Sequence, residues 1–119
     1  MKRILATLAL VVGATLSLAG CTTAAPIQVG AETVIIDVRT PEEYAAGHLE
    51  GALNIDVQSP NFDSLIATQP VDGEYVLYCR SGNRSAQATA RMQSLGFTSV
   101  TDAGSMQNAS SATGLPIVQ

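Results

Sequence analysis

Two apolar runs constrain this chain more than anything else in it. Thr33-Val34-Ile35-Ile36-Asp37-Val38 and Tyr75-Val76-Leu77-Tyr78-Cys79 are nearly continuous stretches of β-branched, aliphatic and aromatic residues, without the alternation of a strand wetted on one face. Strands of that kind are buried on both faces, typically in a parallel sheet covered by helices on each side. Parallel neighbours also need crossover connections, so helices must lie between the strands in sequence. The chain supplies them. Thr40-Pro41-Glu42-Glu43 has a capping threonine, proline at the first helical position and acids in the first turn; Tyr44-Ala45-Ala46 follows, and Gly47 stops the helix. A second helix carrying Phe62, Leu65 and Ile66 is expected before Pro70, capped by Asn61 or Asp63. The third, residues 85–95, sets Ala88, Met92 and Leu95 on one face and ends at Gly96. Weaker strands are expected at 27–29, 52–55 and 98–101, and 105–113 reads as loop or weak helix. The expected fold class is α/β, a three-layer sandwich around a mostly parallel sheet.

The first twenty residues stand apart from this pattern. Met1-Lys2-Arg3 gives a positive start, residues 4–19 are apolar apart from Thr7, Thr15 and Ser17, and Leu18-Ala19-Gly20-Cys21 follows. The order resembles the lipobox of bacterial lipoproteins, which implies cleavage before Cys21 and acylation of that cysteine. Residues 1–20 are therefore expected to be an export signal, 21–26 a lipidated cysteine and tether, and 27–119 the folded domain. Two acyl chains hold a protein stably on a membrane, so the expected location is a membrane surface facing the periplasm or the cell exterior.

Without Lys2 and Arg3 the chain carries four basic residues against ten acidic ones. Such a balance excludes nucleic acid as a partner, since no basic patch exists to neutralise phosphates. One histidine and one unlipidated cysteine do not build a metal site, and neither metal nor other cofactor is expected. The domain is expected to act as a monomer.

The unusual residues concentrate in Cys79-Arg80-Ser81-Gly82-Asn83-Arg84-Ser85, between the end of a buried strand and the start of the best helix. Ligands of open α/β sheets bind beyond the carboxyl ends of the strands. Loop amides and the first turn of the helix would point unsatisfied N–H groups into the concavity they enclose. Gly82 lets successive amides turn inward, and Arg80 and Arg84 add positive charge. A cysteine in that field has its pKa drawn below the free value of about 8.5 and becomes a candidate nucleophile. A small core residue at a strand end is the plainer role for Cys79, but packing alone does not call for the neighbouring glycine and arginines.

These residues resemble a single-domain rhodanese. The resemblance runs through Ile36-Asp37-Val38-Arg39-Thr40-Pro41-Glu42-Glu43-Tyr44, Gly47-His48-Leu49-Glu50-Gly51-Ala52-Leu53-Asn54-Ile55 and Tyr78 to Ser85, and on through Leu95-Gly96-Phe97 and Asp102-Ala103-Gly104 to Gly114-Leu115-Pro116. It implies a rhodanese-like fold with a five-stranded, mostly parallel sheet. It also implies sulfur transfer through a persulfide on Cys79, from a small anionic donor such as thiosulfate to cyanide, a thiol or a redox protein. Arg80, Ser81, Gly82, Asn83, Arg84 and Ser85 would bind the donor. Asp37, Arg39, Glu43 and His48 match family positions and read as structure near the site; Arg39 and Glu43 would pair across one turn or tie neighbouring loops, and His48 would satisfy a backbone group. Four residues separate Cys79 from Arg84, the spacing of sulfurtransferases, whereas the related phosphatases and arsenate reductases have one more. A non-turnover sulfur-carrier module docking a partner protein is the alternative from another class. Two departures stand out: Ser105 replaces the family's usual second glycine after Gly104, and Gln107-Asn108-Ala109 lacks the usual aromatic, which implies a more open pocket wall.

Overall fold

The structure is a computed structural model that describes residues 24–119; the expected leader and Cys21 lie outside the described residues. Its centre is a parallel sheet. β1 (Thr33–Asp37) lies between the two-residue β3 (Leu53–Asn54) and β4 (Glu74–Cys79), and β5 (Ser99–Ser105) forms the far edge. The β1–β4 register pairs Thr33 with Glu74 and Asp37 with Tyr78, so both runs end at the same side of the molecule. Between the strands come α1 (Pro41–Ala46), α2 (Phe62–Ile66), α3 (Asn83–Ser94) and α4 (Met106–Thr113). The resemblance implied five strands. Among the described residues the sheet has four, with a separate antiparallel ribbon of β2 (His48–Leu49) and β6 (Ile117–Val118). Residues 27–29 do not join it: Ile27 gives its amide to the Ala112 carbonyl at 2.9 Å and so packs on α4.

The sheet is buried on both faces, as its composition requires. Ile36, Val38, Leu77 and Cys79 face α2 and α3, packing with Phe62, Ile66, Ala88, Met92 and Phe97. Ile35, Val76 and Tyr78 face the other way, against Leu49, Ala103 and Ala109, with Tyr44 of α1 and Met106 of α4 packed beside them. Each fully buried side chain of this size contributes about 1.5–3 kcal/mol of transfer free energy. Leu95 does not join the core; it is exposed, because α3, which starts at Asn83, two residues earlier than expected, ends at Ser94 and Leu95 is its cap.

Residues 105–113 are a helix rather than a loop. Ser105, with φ −70°, is the N-cap, its hydroxyl accepting the Asn108 amide at 3.1 Å. No left-handed residue is needed there, since Gly104 already takes φ +75°, which accounts for the missing second glycine. Asn61 occupies the cap of α2 without a side-chain bond, while Asp63 pairs with Arg91 at 2.6 Å. Among the described residues no helix is long and apolar enough to cross a membrane.

Candidate active site

Cys79 is the last residue of β4, and the chain turns through Arg80, Ser81 and Gly82 straight into α3. Gly82 makes the turn possible with φ +96°, a left-handed value that a side chain would strain. That conformation aims its amide at the sulfur, and the Gly82 N–H donates to Cys79 Sγ at 2.9 Å. Ser85, one turn into α3 and fully buried, sets its hydroxyl 3.5 Å from the same sulfur. The Ser85 hydroxyl also reaches the carbonyls of Gly82 (3.1 Å) and Gly104 (3.5 Å). The bond to Gly104 depends on a bulge. Leu77 pairs with Asp102 but Cys79 pairs with Ser105, so β5 spends one extra residue where it passes the loop. Gly104 was legible in the sequence only as part of a turn, and its part in holding Ser85 was missed.

The sulfur is buried, contrary to the exposure that a reactive cysteine at a strand end implies: Cys79 has 0% exposure and forms the floor of the loop. The loop and the start of α3 close over the strand end. Burial is the largest single influence on the thiol and pushes its pKa up. Opposing it are hydrogen bonds from the Ser85 hydroxyl and from the amides of Ser85, Gly82 and Ser81, and together these hold the thiol below its ordinary value. The Gly82 amide therefore turns inward, and these hydrogen bonds favour the ionised form of the buried sulfur.

The arginines divide differently from the expectation. Arg84 is held by Glu43 of α1 in a two-pronged ion pair, Nη1 to Oε1 at 2.7 Å and Nη2 to Oε2 at 2.9 Å. Its pKa is raised first by that bond, against burial, and then by attraction to Glu43 and to the Cys79 sulfur. Arg84 thus contributes field to the site while its fork is committed. Arg39 does not pair with Glu43; it is buried against Asp37, its Nη2 2.6 Å from Asp37 Oδ2 and 2.6 Å from the Gly47 carbonyl. His48 Nδ1 lies 2.8 Å from the Tyr44 carbonyl and its ring stacks on Tyr44 at 3.7 Å. Ser81 and Asn83 are exposed on the outside of the loop. Arg80 is exposed too, and among the described residues it is the one arginine without an ion pair.

Outside the loop, Arg80 forms one wall of an open hollow of about 240 Å³, with Arg39, Glu43, Ala46, Met106 and Gln107. Gln107 belongs to the stretch Gln107-Asn108-Ala109 that lacks the usual aromatic, and Met106 precedes it. A second hollow of about 320 Å³ lies among Pro26, Ile27, Thr33, Glu74 and Ser99, at the opposite ends of the strands from Cys79, and has no cysteine in its lining. No group of side chains among the described residues is suited to a metal ion.

Glu43 links the site to stability. The Arg84 fork, against burial and with help from Thr40, holds its carboxyl at about 2. A carboxyl depressed on folding stabilises the protein fully above its ordinary range near 4.3, and the contribution is lost as the pH falls through about 2. Glu43→Gln is expected to cost about 1–2 kcal/mol at neutral pH, reduced by partial exposure of the pair, and to flatten stability loss on the acid side. Urea unfolding of both proteins at neutral pH and near pH 3 checks this; parallel pH curves refute it.

The comparisons agree with the geometry. The family model described as a rhodanese-like domain matches residues 24–108. Thiosulfate sulfurtransferase PspE of Escherichia coli (strain K12) is 33% identical over 73 residues, covering 61% of this chain and 70% of its own. Probable adenylyltransferase/sulfurtransferase MoeZ of Mycobacterium tuberculosis is 39% identical over 69 residues, 58% of this chain but only 18% of that longer protein. A solved structure described as rhodanese with anions from E. coli superposes with a TM-score of 0.62 at 30% identity, covering 73% of this chain and 98% of its own. With its fold, its loop and its relatives in agreement, the chain belongs to the rhodanese-like domain family.

Proposed function

We propose that the protein is a thiosulfate sulfurtransferase that carries a sulfane sulfur as a persulfide on Cys79. The hydrogen-bonded, pKa-depressed sulfur at the floor of the loop carries the reading. The Cys79 thiolate attacks the outer sulfur of thiosulfate, the S–S bond breaks, and sulfite leaves with the bonding pair. The loop amides then face the transferred sulfur, and a thiol or cyanide removes it. Four residues between Cys79 and Arg84 make a ring suited to one sulfur atom rather than to a tetrahedral phosphate, which disfavours a phosphatase or arsenate reductase. Relatives named thiosulfate sulfurtransferase at 33–36% identity support the same choice.

The test is direct. Protein treated with thiosulfate is expected to gain about 32 Da, and a thiol reductant to remove it. Absence of the adduct rejects the reading. An adduct that forms without turnover of small acceptors selects instead the partner-docking sulfur carrier.

Ser85 sets the pH at which this works. Its hydroxyl is the strongest of the groups that lower the Cys79 pKa. In Ser85→Ala the midpoint of the pH profile for adduct formation is expected to move up, slowing loading near neutrality several-fold. Stopped-flow or quenched mass measurements across pH check this, and an unmoved midpoint contradicts it.

Anchoring at Cys21 belongs to the same proposal. Residues 21–26 span at most about 18 Å. They would enter the fold where Pro26 and Ile27 adjoin the first residues of β1, β4 and β5, opposite Cys79. A lipid anchor would then leave the loop facing the aqueous side. Intact mass of protein purified from membranes tests for the acyl chains.

A further inference from the structure

Three of the four arginines among the described residues spend their charge internally: Arg39 on Asp37, Arg84 on Glu43 and Arg91 on Asp63. Arg80 does not, and it follows Cys79 directly in the chain. Two other charged groups border the same hollow, and each is compensated, Arg39 by its buried carboxylate and Glu43 by the Arg84 fork. The uncompensated charge of the hollow is therefore the Arg80 guanidinium. The remaining lining residues are Ala46, Met106 and Gln107. They offer apolar surface for a short hydrocarbon and one further hydrogen-bonding group.

Size points the same way. At about 240 Å³ the hollow has room for several water molecules. A single sulfane sulfur or a cyanide ion fills a small part of that space.

We propose that this hollow is the subsite for an acceptor thiol bearing a carboxylate, which pairs with Arg80 while a short carbon chain lies along Ala46 and Met106. The inference rests on the persulfide reading of Cys79 and names its acceptor class. In the step, the acceptor thiolate, ionised with its proton lost to water, attacks the outer sulfur of the Cys79 persulfide. A new S–S bond forms on the acceptor, the Cys79 S–S bond breaks, and its electron pair returns to Sγ, where the Gly82 amide and Ser85 hydroxyl receive it. The acceptor leaves as its own persulfide, and no outside oxidant or reductant enters.

Persulfide-loaded protein is mixed with 3-mercaptopropionate, 2-mercaptoethanol or cysteamine at equal thiolate concentration, and loss of the adduct is followed by quenched mass spectrometry. The carboxylate thiol is expected to react about fivefold faster than the neutral one and faster still than the cationic one, the scale of a partly exposed charge pair. That ratio is expected to fall to about one in Arg80→Gln, and in Gln107→Glu, where a second carboxylate faces the guanidinium. Equal rates for the three thiols in the unaltered protein overturn the subsite. Failure of the unaltered protein to load with thiosulfate removes the sulfur-transfer reading instead, and binding then decides the subsite separately. On unloaded protein, 3-(methylthio)propionate is expected to shift the Arg80 side-chain and Gln107 amide resonances, and 2-(methylthio)ethanol not to; absence of the carboxylate-specific shift overturns it.

Discussion

Cys79→Ser is expected to gain no mass from thiosulfate and to lose sulfur transfer by about three orders of magnitude or more, down to the background of the assay. Serine nearly preserves shape, so the loop should persist: the Gly82 amide and the Ser85 hydroxyl that now surround Sγ can bond an oxygen in its place. What is lost is ionisation and leaving-group ability. Hydrogen bonds of this kind hold a thiol below its ordinary value of about 8.5, whereas an alcohol stays protonated at any pH the fold tolerates. Since Cys79 is fully buried, a change in melting temperature would confuse the result, and thermal unfolding within a few degrees of the unaltered protein is part of the expectation. The chain has a second cysteine, Cys21, so the adduct must be located by peptide mapping. An adduct on any other residue, or one that survives in the serine variant, would refute the assignment.

The placing of Cys79 at a strand end, with a loop leading from it into a helix, was legible because its signal is local: a strand ending on cysteine, then glycine, arginine and a helix start within seven residues. The two central strands and the capping of α1 were legible for the same reason, the capping box of Thr40 and Glu43 being written in adjacent turns. Less legible were features that depend on distant partners. The Arg84–Glu43 pair joins residues 41 apart, and nothing near either shows that Arg84 is committed while Arg80 is free. The β2–β6 ribbon pairs His48 with Val118 over two residues, too short for a periodicity to appear. Burial of Cys79 likewise follows from the loop folding over its own strand end, which the composition of the loop does not reveal. The weak amphipathicity of α4 left loop and weak helix both open there, and its start is fixed by a side-chain cap.

Asp37→Ala is expected to be the most destabilising single change near the site, at about 3–5 kcal/mol, a large fraction of the 5–15 kcal/mol that holds a domain together. Asp37 is fully buried, and its two oxygens accept five hydrogen bonds: the Arg39 amide, the Arg39 Nε on both oxygens, Arg39 Nη2 and the Tyr78 hydroxyl at 2.8 Å. Burial, and the nearby charge of Asp37, push the Tyr78 phenol up, so it remains a donor. Tyr78 in turn accepts the Leu49 amide at 2.9 Å, and Arg39 reaches the Gly47 carbonyl. One carboxylate thereby ties the ends of β1 and β4 to α1 and β2. Its removal leaves a guanidinium that is 5% exposed without a counter-charge, which costs far more than the pair itself is worth. A double-mutant cycle distinguishes these: Asp37→Ala with Arg39→Met should be markedly less destabilised than Asp37→Ala alone, because the stranded charge is gone. Urea unfolding of the three variants measures it, and additive losses, or a single-variant loss below about 1 kcal/mol, contradict the account. Arg39 also borders the hollow beside Arg80, so the cycle bears on function as well. If its charge is spent on Asp37, Arg39→Met should lower stability yet leave the carboxylate preference for acceptor thiols in place, whereas Arg80→Gln should do the reverse.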